Sequence, residues 1–264
     1  MSNPRKSTRH AEVAIVAALI VLALAARWAG GREITDDMKI FFQWYNQLKR
    51  AGGWPGLGTE IGNYNAPFLY PLAILIYLPG PVLLKIKAAF MVFDVVLAFY
   101  TYKIVALRWP GHRIPLAAAL TMLLLPTVVI NASLYGQMDS MWAAFAVGGV
   151  YYLLRDKPWH AVAFCTIALA VKPQGIFVFP VLLLLALAGR LPWRTLLAAP
   201  AVFVALDLPA IVAGRNPIEL LTIYDLGRQA RNVPGLGIRV PSLYAFFPPG
   251  GPVGTIRLLG YVFT

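Results

Sequence analysis

The stretch that decides how this chain is threaded is Pro67-Phe68-Leu69-Tyr70-Pro71-Leu72-Ala73-Ile74-Leu75-Ile76-Tyr77-Leu78-Pro79-Gly80-Pro81. It is apolar enough to enter a bilayer, but it is short and four prolines sit in and around it. Whether it crosses sets the side of the membrane on which everything downstream lies. That the question concerns a membrane at all follows from composition: of 264 residues, 59% are hydrophobic and only 13% charged. A soluble domain carries about a quarter charged residues, so the fold class is an all-α polytopic membrane protein.

A bilayer core about 30 Å thick needs roughly 20 helical residues to cross, fewer where the ends reach the interface. Six apolar runs qualify: Glu12 to Ala29, Ala88 to Leu107, Ile114 to Ala132, Ser140 to Leu154, Trp159 to Val171 with its extension, and Gly175 to Gly189. A seventh, Leu196 to Gly214, contains Asp207 and Pro209, and an eighth begins near Pro252 and is cut short by the end of the sequence. The expectation is a single bundle over 1–264, about seven or eight helices, continuing beyond Thr264 in the full protein. The first run follows Arg5, Lys6 and Arg9 and reads as a retained anchor.

Charge then arbitrates the Pro67–Pro81 question. If that stretch does not cross, the N-terminal tail and the loops on its side hold ten basic residues (Arg5, Lys6, Arg9, Lys103, Arg108, Arg113, Arg155, Lys157, Arg190, Arg194) against Glu12 and Asp156. That segregation obeys the positive-inside rule. The N-terminus is therefore assigned to the cytoplasm, and residues 30–87 form one long external loop holding a re-entrant or juxtamembrane segment. Residues 215–251 form a second external loop, rich in Gly and Pro.

The net charge of +12 does not point to nucleic acid, because the cations punctuate hydrophobic spans and form no stripe with interleaved aromatics. One cysteine, Cys165, excludes an internal disulfide and a Cys-based zinc site. The three histidines, at 10, 112 and 160, lack metal-ligand spacing.

The polar residues that remain gather on the external side. Thr35 caps a predicted amphipathic helix with Asp36 and Asp37 in its first turn, Ile40, Phe41, Trp44, Tyr45 and Leu48 on one face, and Gly52-Gly53 as its stop. The periodicity predicts a helix lying on the membrane surface. The two carboxylates either serve the helix dipole alone or face a lipid-linked substrate.

The run Asn131-Ala132-Ser133-Leu134-Tyr135-Gly136-Gln137-Met138-Asp139 reads as a solvated turn, a chance glycosylation sequon, or part of a site. Lys172-Pro173-Gln174 is a snorkelling lysine or a ligand for an anion. Asp94, inside a span and seven residues after Lys87, is expected to pair within the bundle in a structural role. Asp207 either marks a helix break or is functional. In the second loop, Arg215, Arg228, Arg231 and Arg239 suit a phosphate or lipid headgroups.

Taken in order, Asp37-(x)3-Phe41-Phe42-x-Trp44, Tyr64-Asn65-Ala66-Pro67-x-x-Tyr70, Lys87-(x)6-Asp94, Gly136-Gln137-x-Asp139 and Lys172-Pro173-Gln174 resemble the multi-spanning GT-C glycosyltransferases. The likeness is greatest to bacterial proteins related to the second mannosyltransferase of GPI-anchor synthesis, and it covers roughly Asp36 to Pro180. Where that family often has Tyr-Pro-Pro, this chain has Tyr64-Asn65-Ala66-Pro67.

The resemblance implies a GT-C helix bundle in a bacterial plasma membrane. It further implies a polyprenyl-phosphate sugar donor, commonly mannose, chemistry on the extracytoplasmic face, and Asp37 as catalytic carboxylate with Asp36 tuning it. Gln137 and Asp139 would then bind sugar hydroxyls, Lys172 and Arg231 would hold the phosphate, and Tyr64 and Gln174 would also bind substrate, with Lys87 and Asp94 in support. The acceptor would be a glycan, lipid or protein. No cofactor is expected, although Asp36, Asp37 and Asp139 could hold a divalent cation if they converge. Two other readings fit the same residues: an ion-coupled transporter using Asp94, Asp207 and Lys172, and a non-catalytic scaffold.

Overall fold

A computed structural model describes residues 4–225, with side chains from residue 9. Among the described residues there are helices and turns and no strand. The elements are α1 (Pro4–Gly30), α2 (Asp36–Arg50), α3 (Ala66–Leu75), α4 (Val82–Arg108), α5 (Arg113–Leu124), α6 (Pro126–Val129), α7 (Asp139–Leu154), α8 (Pro158–Val171), α9 (Phe179–Leu187) and α10 (Ala198–Val212). All of them belong to one compact unit, Met1–Leu220; a second unit begins at Leu221.

Each of the seven complete apolar runs is helical. Two helical segments, Arg9–Gly30 and Trp193–Val212, are long and apolar enough to cross a membrane, and a third qualifies if the bent pair Arg113–Leu124 and Pro126–Tyr135 is one span. Seven or eight were expected. Of the other runs, α7, α8 and α9 are each shorter than 18 residues, and the 27-residue α4 carries Lys85, Lys87, Asp94, Lys103 and Arg108. α1 and α10 expose much of their apolar surface, Val13, Val21, Leu24 and Trp28 on the first and Leu208 and Val212 on the second. Continuous apolar faces of this kind suit lipid and not water.

Proline chemistry explains the breaks. Pro126 lacks an N–H and crowds the residue before it, so Leu125 adopts an extended conformation (φ −55°, ψ 126°) and the helix turns by 50°. Pro173 does the same to Lys172 (φ −150°, ψ 137°), ending α8 at Val171. The chain after α6 widens into a π-helical turn, Ile130–Tyr135, closed by Gly136 in the left-handed region (φ 68°).

Pro67–Pro81 resolves into the ten-residue α3 and a turn. At 1.5 Å per residue α3 is about 15 Å long and cannot cross a bilayer. It lies in the protein interior, with Phe68, Leu69, Leu72 and Ala73 buried. α2 joins it there. The apolar face predicted to rest on the membrane surface is instead covered by protein: Met38, Phe41, Trp44, Tyr45 and Leu48 are all buried, and only Ile40 of that face is exposed. Phe41 meets Phe90 of α4 edge-on at 5.5 Å, and Trp44 meets Phe68 of α3 at 5.6 Å. These T-shaped pairs add to burial energy through ring quadrupoles.

Two buried charges tie the helices together. Asp94 of α4 accepts from Arg27 of α1 through Nε (3.0 Å) and an η nitrogen (2.8 Å), and from the Ser140 hydroxyl of α7. The remaining η nitrogen of Arg27 donates to the Leu123 carbonyl of α5 (2.9 Å) and to Ala23 (3.1 Å). Asp94 is therefore partnered by Arg27, not by Lys87. Seven helical residues place Lys87 and Asp94 about 10 Å apart along the axis, too far for an ion pair. Lys87 is also buried, and its ammonium donates to the carbonyls of Gly30 (3.0 Å), Glu33 (2.6 Å), Ser133 (2.7 Å) and Leu134 (3.3 Å).

Breaking a buried pair from one side strands a charge, at about 3–5 kcal/mol, whereas replacing both partners by apolar groups is far milder. Asp94→Asn is thus expected to lower the thermal unfolding midpoint in detergent sharply. Arg27→Met combined with Asp94→Leu should recover most of that loss; a double variant as unstable as the sum of the two single ones would contradict the pairing.

Candidate active site

The candidate site forms where the N-terminus of α2, the turn 136–139 and the end of α8 meet. Thr35 sets the first of these: its hydroxyl oxygen accepts from the Met38 N–H (3.3 Å) and its proton goes to the Tyr135 carbonyl (2.6 Å). One side chain therefore caps α2 and ties it to the π-helical turn. Asp36 and Asp37 leave this cap in different directions. Asp36 has a 90% exposed side chain and pairs with Lys39 at 2.8 Å. Asp37 is half-buried and turns inward, where its Oδ2 accepts from Gln137 Nε2 at 2.6 Å.

Gln137 continues the chain of contacts. Its Oε1 accepts from the ammonium of the buried Lys172 (3.3 Å), which also pairs with Asp139 Oδ1. The orientation of the Gln137 amide is settled by charge: flipping it would put N–H donors against an ammonium and an oxygen against a carboxylate. Asp139 receives further bonds from Asn131 Nδ2 (2.8 Å) and Trp142 Nε1 (3.2 Å). Lys172 lies 5.8 Å from the centre of the Tyr64 ring, at cation–π distance. Burial, reinforced by the charges of Asp139 and Asp37, pushes the Tyr64 phenol up to about 12. It remains a neutral donor through the physiological range.

The result is a continuous line, Asp37 to Gln137 to Lys172 to Asp139, with two carboxylates, one ammonium and a bridging amide. Asp37 Oδ1 accepts no hydrogen bond from the described residues. Among the described residues no group of three or more acidic, histidine or cysteine side chains could hold a metal; Asp36 points away from Asp37 and Asp139, so the three acids do not converge.

Other predicted residues lie elsewhere. Gln174 is exposed on the turn after Lys172, Lys87 and Asp94 sit beneath the site, and Arg231 lies outside the described residues, as do Arg228 and Arg239. Arg215 is turned inward onto Glu219 (2.6 Å) and the Thr59 carbonyl (2.6 Å), so its fork is occupied and not presented to a phosphate. Sequence reasoning gave no role to Arg27, Ser140 or Trp142. Asn131 was noted as the start of the polar run and as part of a sequon but given no role of its own, yet its amide nitrogen is engaged with Asp139.

The sequence model of glycosyltransferase family 87 matches residues 64–219, more than half of the chain. The chain belongs to glycosyltransferase family 87. No curated protein and no solved structure matches it. The family 87 match takes in Tyr64, Lys87, Asp94, Gln137, Asp139, Lys172 and Gln174 and begins after α2. It supports glycosyl transfer and is consistent with a GT-C-type enzyme, while mannose and a GPI-type relationship gain nothing from it. Nothing favours the transporter reading either: Asp94 is closed by Arg27 and Ser140, Lys172 by Asp139 and Gln137, and Asp207 is buried separately in α10.

Gly136 holds the turn that carries Gln137. A Cβ there would meet the buried side chain of Met38, and φ is 68°. Gly136→Ala is expected to lower stability by about 1–3 kcal/mol, the range for a non-glycine residue in the left-handed region, measured by thermal unfolding in detergent. An unchanged midpoint would contradict this geometry.

Proposed function

We propose that this protein transfers a sugar, mannose in the first instance, from a polyprenyl phosphate to an acceptor hydroxyl on the extracytoplasmic face of a bacterial plasma membrane. The observation that carries the reading is the inward-facing Asp37 linked through Gln137 to the Lys172–Asp139 pair in a family 87 glycosyltransferase.

The chemistry suits one base. The acceptor oxygen attacks the anomeric carbon as the bond from that carbon to the phosphate oxygen breaks; the hydroxyl proton passes to Asp37 Oδ1, and the polyprenyl phosphate leaves as a stable anion. A phosphate leaving group needs no proton, so the second carboxylic acid of a glycoside hydrolase is unnecessary. A single displacement inverts the anomeric centre. Gln137 holds the other oxygen of Asp37 and so directs Oδ1. Asp139 and the neutral Tyr64 phenol bind sugar hydroxyls, and Gln174 lies at the exposed rim.

The charge balance qualifies the role of Lys172. Its ammonium is matched by Asp139, so it offers the departing phosphate one remaining proton and little net charge. Arg231 and its neighbours in the 215–251 loop are the candidates for the rest. A lipid-linked donor fits a second feature, an apolar cleft of about 710 Å³ between α1 and α4 lined by Leu24, Trp28, Leu84 and Met91 and reaching Gly31 and Lys87, one loop from Asp37. No metal enters this reaction.

The test is transfer of labelled mannose from polyprenyl-phosphate-mannose to a membrane extract by the full-length protein. Asp37→Asn is expected to lose at least about a hundredfold in rate, the lower end of the range for general acid–base catalysis, with expression and insertion intact, and the product should have inverted configuration. Equal rates for wild type and Asp37→Asn would refute the assignment of the base, and loss of transfer on adding EDTA, restored by Mg or Mn, would refute the metal-free mechanism.

A further inference from the structure

Asn131 lies on the π-helical turn, eight residues before Asp139, and its carboxamide is engaged at both ends. Nδ2 donates to Asp139 Oδ2 (2.8 Å), and Oδ1 accepts from the Asp139 backbone N–H (3.3 Å). Its backbone carbonyl accepts from the Gln137 N–H (2.8 Å). Three bonds from one residue thus span the Gly136 turn and reach both polar residues of the site that follow it.

Two features make this more than a turn contact. Asp139 opens α7, and no side chain of its N-cap residue Met138 satisfies the free N–H groups there. Asn131 supplies that acceptor from a different segment, and with the same amide donates to the Asp139 carboxylate. Only a carboxamide of this length does both: Asp would set two acceptors against a carboxylate, and Leu would do neither. The second feature is directional. With Oδ2 held by Asn131, the other oxygen of Asp139 faces Lys172, which in turn faces Gln137 and so Asp37. A π-helical turn, often found at functional sites, is what brings the residue into this register.

We propose that Asn131 is a positioning residue of the transfer site: its carboxamide clamps Asp139 so that one carboxylate oxygen is turned toward Lys172. The inference rests on the proposed function, and the experiment separates the two. Asn131→Leu, Asp139→Asn and the double variant are compared in full-length protein, with polyprenyl-phosphate-mannose as donor. Misplacing a site group by about 1 Å is worth up to a hundredfold, so Asn131→Leu is expected to lower kcat/KM ten- to a hundredfold.

Because Asn131 acts through Asp139, the double variant should be no slower than Asp139→Asn alone, the non-additivity expected of coupled residues. A merely structural role would give losses that multiply. Should Asn131→Leu fold poorly, Asn131→Asp combined with Asp139→Asn restores a donor opposite an acceptor and keeps the net charge; it should unfold at the wild-type midpoint, while Asn131→Asp alone should not. Multiplying losses, or an Asn131→Leu protein as active as wild type, would overturn the inference while leaving the proposed function standing. A fully active Asp139→Asn, or no transfer by wild type, would overturn the proposed function and the positioning role with it.

Discussion

A single buried ammonium organises this protein. Lys87, on the first turns of α4, donates to four backbone carbonyls drawn from two segments, Gly30 and Glu33 at the exit of α1 and Ser133 and Leu134 in the π-helical turn. Helix C-terminal ends leave carbonyls without intrahelical partners and carry partial negative charge. Two such ends converge on one cation, which satisfies them and offsets the cost of burying the charge. Asp37 follows the first segment by a few residues, and Gln137 and Asp139 follow the second. The position of the candidate base relative to the residues that orient it is therefore set beneath the site, by a residue that touches none of them.

Around this centre each polar contact in the site has a partner of opposite sign, and the order is that of a line: carboxylate, amide, ammonium, carboxylate. Such a line has one preferred arrangement, because any flip of Gln137 sets like against like. In surroundings screened from water the electrostatic preferences are stronger than they would be in solution. The Arg27–Asp94–Ser140 cluster does related work deeper in the bundle, joining α1, α4 and α7 at a depth where an unpaired charge would be costly.

What the sequence made legible was local. Thr35-Asp36-Asp37 marked the start of α2 and Gly52-Gly53 its end, because capping and stop signals act through neighbouring backbone. The prolines around α3 and the distribution of basic residues led to a segment that does not cross, and its observed length is too short for crossing. Amphipathic periodicity also showed that one face of α2 is covered. It carries no information on what covers it, and the face that was assigned to lipid packs on Phe68 and Phe90. Long-range pairings were hidden for the same reason. Arg27 and Asp94 are 67 positions apart, and the nearer charge, Lys87, lies two turns away, where it meets carbonyls that no pattern announces. Asn131 resembled an acceptor sequon because Ser133 stands two positions on, while its partner Asp139 becomes a neighbour only once the π-helical turn is formed.

The most direct test is whether Lys87 holds the two segments together. In a Cys165→Ala background, Asp37→Cys and Gln137→Cys should be joined rapidly in membranes by a short bis-methanethiosulfonate cross-linker, since the native side chains meet tip to tip at 2.6 Å and the reagent makes up for the shorter reach of cysteine. Adding Lys87→Met should slow that reaction by at least tenfold. Equal rates with Lys87 present or replaced would contradict the claim that its ammonium assembles the site.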